Sequence, residues 1–134
     1  MEREELTGRV IGCAMTVHRK LGPGFLESVY QNALAHELRK AGIGVVCEKS
    51  LVVMYDGIVV GEFSADMIVE EAVLIENKAV QALVVAHQVQ LVNYLNATGK
   101  DLGLLINFGG SKLEVKRKYR RYLPKNDDRN LGQD

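Results

Sequence analysis

Two carboxylates and an ammonium stand in segments otherwise apolar enough to be buried strands. Phe63-Ser64-Ala65-Asp66-Met67-Ile68-Val69 is followed, after a short turn, by Val73-Leu74-Ile75-Glu76-Asn77-Lys78. Buried charges are costly unless they pair or bind a metal. Strand alternation puts Glu76 and Lys78 on one face with Leu74, while Asn77 points away. The same alternation groups Asp66 with Ile68 and sets Phe63, Ala65, Met67 and Val69 opposite. If the strands pair through Glu70-Glu71, Asp66 faces either Ile75 or Glu76, and only the second register joins the carboxylates. Turn chemistry alone leaves both registers open.

Carboxylates that close do not both stay ionised without a cation. Mg2+ answers this need, because it takes oxygen ligands and is commonly held by one or two carboxylates plus waters. Lys78 would then reach a bound water or a phosphate. A structural Glu–Lys or Asp–Lys ion pair explains the same spacing equally well.

Two helical segments add companions. Glu27 falls along one meridian with Leu34 and Leu38, with Tyr30 nearby. The competing role for Glu27 is to stabilise the helix N-terminus. In the third helical segment His87, Gln90 and Tyr94 share a face with Leu83 and Leu91. Gln90 and Tyr94 are direct i,i+4 neighbours, and a buried glutamine would need partners. His87 by itself reads as a core histidine. Val85, Val89 and Val92 line the opposite face, so a homodimer through these valines is expected.

Bulk properties bound the rest. A chain of 134 residues makes one domain, able to bury roughly 68% of its unfolded surface without disulfides. Its 17 basic and 17 acidic residues cancel, so no global nucleic-acid signature exists. Locally, Lys112, Lys116, Arg117, Lys118, Arg120 and Arg121 are offset only by Glu114. This cluster reads either as a phosphate-binding patch or as a guarded edge strand. Cys13 and Cys47 read as reduced, packed thiols, and no zinc spacing joins them to the three histidines. No apolar run is long enough for a membrane span and no signal peptide is visible, so a cytoplasmic protein is expected.

These side chains are positioned by eight elements. Helices are predicted from about Glu2 to Lys20, Leu26 to Lys40 and Gln81 to Ala97. Strands are predicted from about Val45 to Tyr55, Ile58 to Val69, Ala72 to Ala79, Leu102 to Phe108 and Lys112 to Tyr122. Asp56-Gly57 marks a hairpin turn. The order α-α-β-β-β-α-β-β implies a mixed sheet with helices on its faces. The domain is expected over residues 1–124, with a polar, disordered tail over 125–134.

With the elements in order, a family resemblance emerges. Gly24-Phe25-Leu26-Glu27-Ser28-Val29-Tyr30 matches the motif that names the GxxExxY protein family. The chain resembles that family again at Asp66-Met67-Ile68-Val69, Glu76-Asn77-Lys78, His87-Gln88-Val89-Gln90 with Asn93-Tyr94-Leu95, and Gly103-Leu104-Leu105-Ile106-Asn107-Phe108-Gly109. The family is placed in the PD-(D/E)xK nuclease superfamily. The resemblance implies a restriction-endonuclease-like three-layer sandwich and metal-dependent phosphodiester hydrolysis, DNA being the expected substrate. It implies that Asp66 and Glu76 hold Mg2+ (Mn2+ as a substitute), with the backbone carbonyl of Asn77 as a further ligand. Lys78 looks like the lysine that positions the attacking water, and Glu27 like a supporting helix-borne acid. Gln90 and Tyr94 look like the QxxxY motif of RecB-like nucleases. Two departures stand out: Ala65 replaces the first-motif proline, and Asn77 replaces the apolar residue between acid and lysine. The alternative is a non-catalytic module that binds nucleic acid or protein on the same fold; a hydrolase of small phosphate compounds is a third reading.

Overall fold

The structure, a computed structural model, describes residues 1–120. Arg121, the end of the predicted last strand and the 125–134 tail lie outside the described residues. The elements are α1 (Arg3–Leu21), α2 (Glu27–Lys40), β1 (Val45–Tyr55), β2 (Ile58–Val69), β3 (Val73–Lys78), α3 (Val85–Thr98), β4 (Leu102–Asn107) and β5 (Glu114–Tyr119). Strand order in the single sheet follows the chain, β1-β2-β3-β4-β5. Among the described strands only β3 and β4 run parallel, joined by the α3 crossover. No helix is long and apolar enough to cross a membrane among the described residues.

Two apolar clusters separate the layers. On one side α1 and α2 bury Leu6, Val10, Tyr30 and Leu34 against Met67, Ile75, Leu104 and Phe108. On the other, Leu91 and Leu95 of α3 cover Ile68, Leu74 and Leu105. Every residue of β4 is buried, as a central strand covered on both faces requires. The result is the three-layer α/β sandwich with a mixed sheet that the sequence implied.

The turn between β2 and β3 decides the register. Glu70 and Glu71 both have positive φ, 52° and 56°, the signature of a type I′ turn. The Ala72 amide donates to the Val69 carbonyl, yet Val69 pairs with Val73. Ala72 is therefore an extra residue, and it selects the register in which Met67 faces Ile75. Continuing that register sets Asp66 against Glu76. The turn is held by its side chains too: Glu70 accepts from the Gly44 amide, and Lys100 donates to the Glu71 carbonyl.

Two expectations fail here. Phe63 and Ala65 pack with Ile68 and the α3 layer, not with Met67 and Val69. The strand alternation is broken where Glu48, in β1, adopts φ 56° between the pairs Cys47–Met67 and Lys49–Ala65. A left-handed non-glycine residue inside a strand re-aims the chain on either side of it. The second failure is the start of α3, at Val85 instead of Gln81. Asn107 explains it: its side chain accepts from the Val80 amide and donates to the Val80 carbonyl, both at 2.9 Å. Glu114 receives the Leu83 amide. These bonds fix the segment after Lys78, which bends at residues 80–82, and delay the helix.

Gly109 makes that bracket feasible, since a Cβ there would collide with the Val80 carbonyl oxygen. Gly12, inside α1, has open space around it. Gly109→Ala should therefore cost roughly 2 kcal/mol or more through forced backbone displacement, while Gly12→Ala should stabilise by about 0.5–1 kcal/mol through helix propensity. Thermal and urea unfolding of the two variants checks the opposite signs.

Candidate metal and phosphate site

The β2–β3 ladder ends at Met67–Ile75, and side chains take over beyond it. The Asn77 amide donates to Asp66 Oδ2 at 2.8 Å, and the Asp66 amide lies 3.5 Å from Glu76 Oε1. Each carboxylate thus occupies the place of a backbone acceptor on the facing strand. Glu76 is only 6% exposed, and among the described residues it forms no salt bridge. Burial, then the Asp66 charge, pushes its carboxyl from 4.5 up to about 8. Asp66 is raised as well, chiefly by burial, with the Asn77 amide opposing and the Glu27 and Glu48 charges reinforcing. Lys78 pulls both down without reaching ion-pair distance of either.

The residues near this pair arrive from three directions. Glu27 opens α2 and is exposed, and its charge is felt by both acids. Its position depends on Tyr30, which is fully buried. The Tyr30 hydroxyl donates to the Gly22 carbonyl and accepts from the Phe25 amide, while its ring stacks on Phe108 at 4.9 Å. The tyrosine of the GxxExxY motif is therefore a fastening, and the glutamate is what it presents. Tyr94 of α3 stacks on Phe63 at 3.9 Å, and its phenol is held above its usual range by burial, then by Glu76 and Asp66.

Gln90 and His87 are placed differently from the sequence reading, whereas Asn77 points away from the acids as expected. Gln90 is exposed, not buried, because the sheet-facing stripe of α3 runs through Leu91 and Leu95. His87 is no core histidine: its Nδ1 accepts from the Val84 amide at the start of α3. The Asn77 side chain is buried away from the acids, with Nδ2 against the Met67 sulfur and Oδ1 lacking a partner among the described residues. Lys78 is half-buried, and its carbonyl is fixed by the Phe108 amide at 2.8 Å. Val85 and Val89 are exposed on α3 and Val92 is half-buried.

The basic cluster is divided by β5. Arg117 donates to the Thr7 hydroxyl of α1, and Arg120 pairs with Asp101 at 2.7 Å. Lys116 and Lys118 fall on the side of Glu114, towards α3, with Lys112 in the preceding connection. Glu48 is an acid that the sequence reading missed. It accepts from Ser64 and raises Asp66, but nothing in the local sequence announces its left-handed backbone.

Among the described residues no three His, Cys, Asp or Glu side chains converge as a complete metal cage. Two converging carboxylates, one of them buried and in no ion pair among the described residues, nonetheless fit a hard cation that keeps most of its water.

The family model of the PD-(D/E)XK nuclease superfamily matches residues 4–121. The fold is also similar to the solved structure described as the crystal structure of SSO0001, with a TM-score of 0.58 at 18% identity. That likeness covers 69% of this chain and 49% of the other, so the chain spans about half the length of that protein. No curated protein matches the sequence.

Two outcomes test the geometry. Glu76 carries more protons folded than unfolded between about pH 4.5 and 8, so without divalent metal its share of stability falls as pH rises through that window. Glu76→Gln should flatten this slope and raise the thermal midpoint at pH 8. Asn77→Leu removes an orphaned buried acceptor and should stabilise by about 1 kcal/mol in denaturant unfolding.

Proposed function

The chain belongs to the PD-(D/E)XK nuclease superfamily, and on that premise we propose that it is a divalent-metal-dependent phosphodiesterase acting on nucleic acid, DNA first among substrates. The observation that carries this reading is the close approach of Asp66 to Glu76 at the end of the ladder, with Lys78 two residues on. Asp66 and Glu76 would hold Mg2+, or Mn2+ in its place, with the Asn77 backbone carbonyl as a further donor. A bound divalent cation supplies charge neutralisation at phosphoryl oxygens and a more acidic water.

The chain's own groups do the remainder. Lys78, free of ion pairs among the described residues, orients the attacking water and offsets charge building on the phosphoryl group. Glu27 adds negative charge beside the pair and favours cation uptake. Tyr94, locked against Phe63, and exposed Gln90 one turn earlier present donors to a phosphate. Lys112, Lys116 and Lys118 are the basic residues best disposed to meet a nucleic-acid backbone. Arg117 and Arg120, and Arg121 of the same run, have a weaker claim, the first two being engaged with Thr7 and Asp101. The free thiols of Cys13 and Cys47 accord with a cytoplasmic setting.

Purified protein with Mg2+ or Mn2+ should cut DNA, RNA substrates serving as the comparison. Lys78→Ala should lower the rate by roughly 10²-fold or more while metal still raises the thermal midpoint. Asp66→Ala should abolish both cleavage and the metal-induced shift. Metal binding with no cleavage of any nucleic acid would favour the non-catalytic binding module instead.

A further inference from the structure

The run Gly103-Leu104-Leu105-Ile106-Asn107-Phe108-Gly109 stands out in the sequence, yet it supplies none of the groups assigned above to chemistry. Its last three residues all grip one stretch, the chain leaving β3. Asn107 is the register partner of Lys78 across the parallel β3–β4 ladder. The next residue, Phe108, donates its amide to the Lys78 carbonyl at 2.8 Å. Asn107 Oδ1 accepts from the Val80 amide at 2.9 Å and from the Gly109 amide at 3.0 Å. Its Nδ2 donates to the Val80 carbonyl and to Glu114 Oε1, both at 2.9 Å. A primary amide has two donors and two acceptor sites, and all four are engaged in this fully buried side chain. The partners also fix which end is oxygen, since the Val80 amide needs an acceptor and its carbonyl a donor.

The acids and the lysine are held by different means. Asp66 accepts from the Asn77 amide and Glu76 lies against the Asp66 amide, so the carboxylates are braced across β2 and β3. Lys78 has no such brace, because among the described residues its ammonium makes no ion pair. Its aim is set from its root, by the backbone of residues 78–80 and by what grips that backbone. Burial alone does not call for an amide at the end of β4, where Leu104, Leu105 and Ile106 pack with apolar side chains. A fully satisfied buried network, by contrast, stiffens what it holds.

We propose that Asn107 is a positioning residue for Lys78, oriented in turn by the Glu114 carboxylate. The proposal rests on the phosphodiesterase reading, in which Lys78 orients the water and offsets phosphoryl charge. Asn107 acts only through the backbone that carries the lysine. Glu114 also receives the Leu83 amide, so the same clamp sets where α3 begins.

Asn107→Asp keeps the volume and the acceptor but turns the other oxygen against both the Val80 carbonyl and Glu114. It should lower kcat on DNA roughly 10- to 100-fold, with KM and the Mg2+ concentration at half-maximal thermal shift held within about two-fold. In the Lys78→Ala chain the same substitution should cost less than about two-fold more, since the lysine it aims is gone. Adding Glu114→Gln to Asn107→Asp returns a donor to the pair and should raise kcat about five-fold over the single variant. In the metal-free protein, carbon NMR should show the Lys78 Cε signal moved by Asn107→Asp while the Asp66 and Glu76 carboxyl signals hold. If the aspartate variant does not fold, Asn107→Ser, which keeps one donor and an acceptor without a like charge, carries the same measurements. Rate losses that multiply in the Lys78→Ala background, lost Mg2+ uptake, no recovery in the pair, or an unmoved Lys78 signal overturns the proposal. If the unsubstituted chain cuts no nucleic acid, the phosphodiesterase reading is what fails, and the Lys78 signal decides whether Asn107 aims the lysine.

Discussion

The site depends on the place where the β2–β3 ladder stops. Up to Met67–Ile75 the strands exchange backbone bonds; one residue further, Asp66 and Glu76 substitute their carboxylates as acceptors. That substitution satisfies backbone amides and forces two acids together in one stroke. The cost is a buried carboxyl at Glu76, stable as an acid up to about pH 8 unless positive charge arrives. On the proposed reading, a divalent cation would supply that positive charge.

Much of the remaining structure keeps this junction in register. The extra residue Ala72 chooses the pairing, and Glu70 and Lys100 tie the turn down. Asn107 and Gly109 hold the chain after Lys78, so the β3 end cannot run straight into a helix. Tyr30 and Phe108 stack beneath, carrying the N-terminus of α2 and Glu27 towards the acids. Motifs that look catalytic in the sequence thus divide into residues that face the site and residues that fasten it.

This division also marks what was legible in the chain. Hydropathy periods and the Asp56-Gly57 turn were enough for eight elements in order, because each is a local signal. Asp66, Glu76 and Lys78 stood out because charge in an apolar strand has few uses. The register was illegible, since it turns on one extra residue after a type I′ turn whose glutamates give no glycine signal. Glu48's left-handed φ was equally hidden, and with it the switch that sends Phe63 and Ala65 to the α3 side. Gln90 was misplaced because helical proximity to Tyr94 does not say which of the two is covered. The apolar runs of the β1–β2 hairpin were visible as strands, but only the short β2–β3 ladder reveals that they stand uncovered.

The central claim is that the Asp66–Glu76 pair is a divalent-cation site. Carboxyl-carbon NMR of Glu76, titrated against pH with and without saturating Mg2+, tests it at the atom concerned. Without metal the carboxyl should titrate near 8. With Mg2+ it should fall below the ordinary glutamate value of 4.5, because the cation favours the charged form. An unchanged titration in saturating Mg2+ would contradict the account.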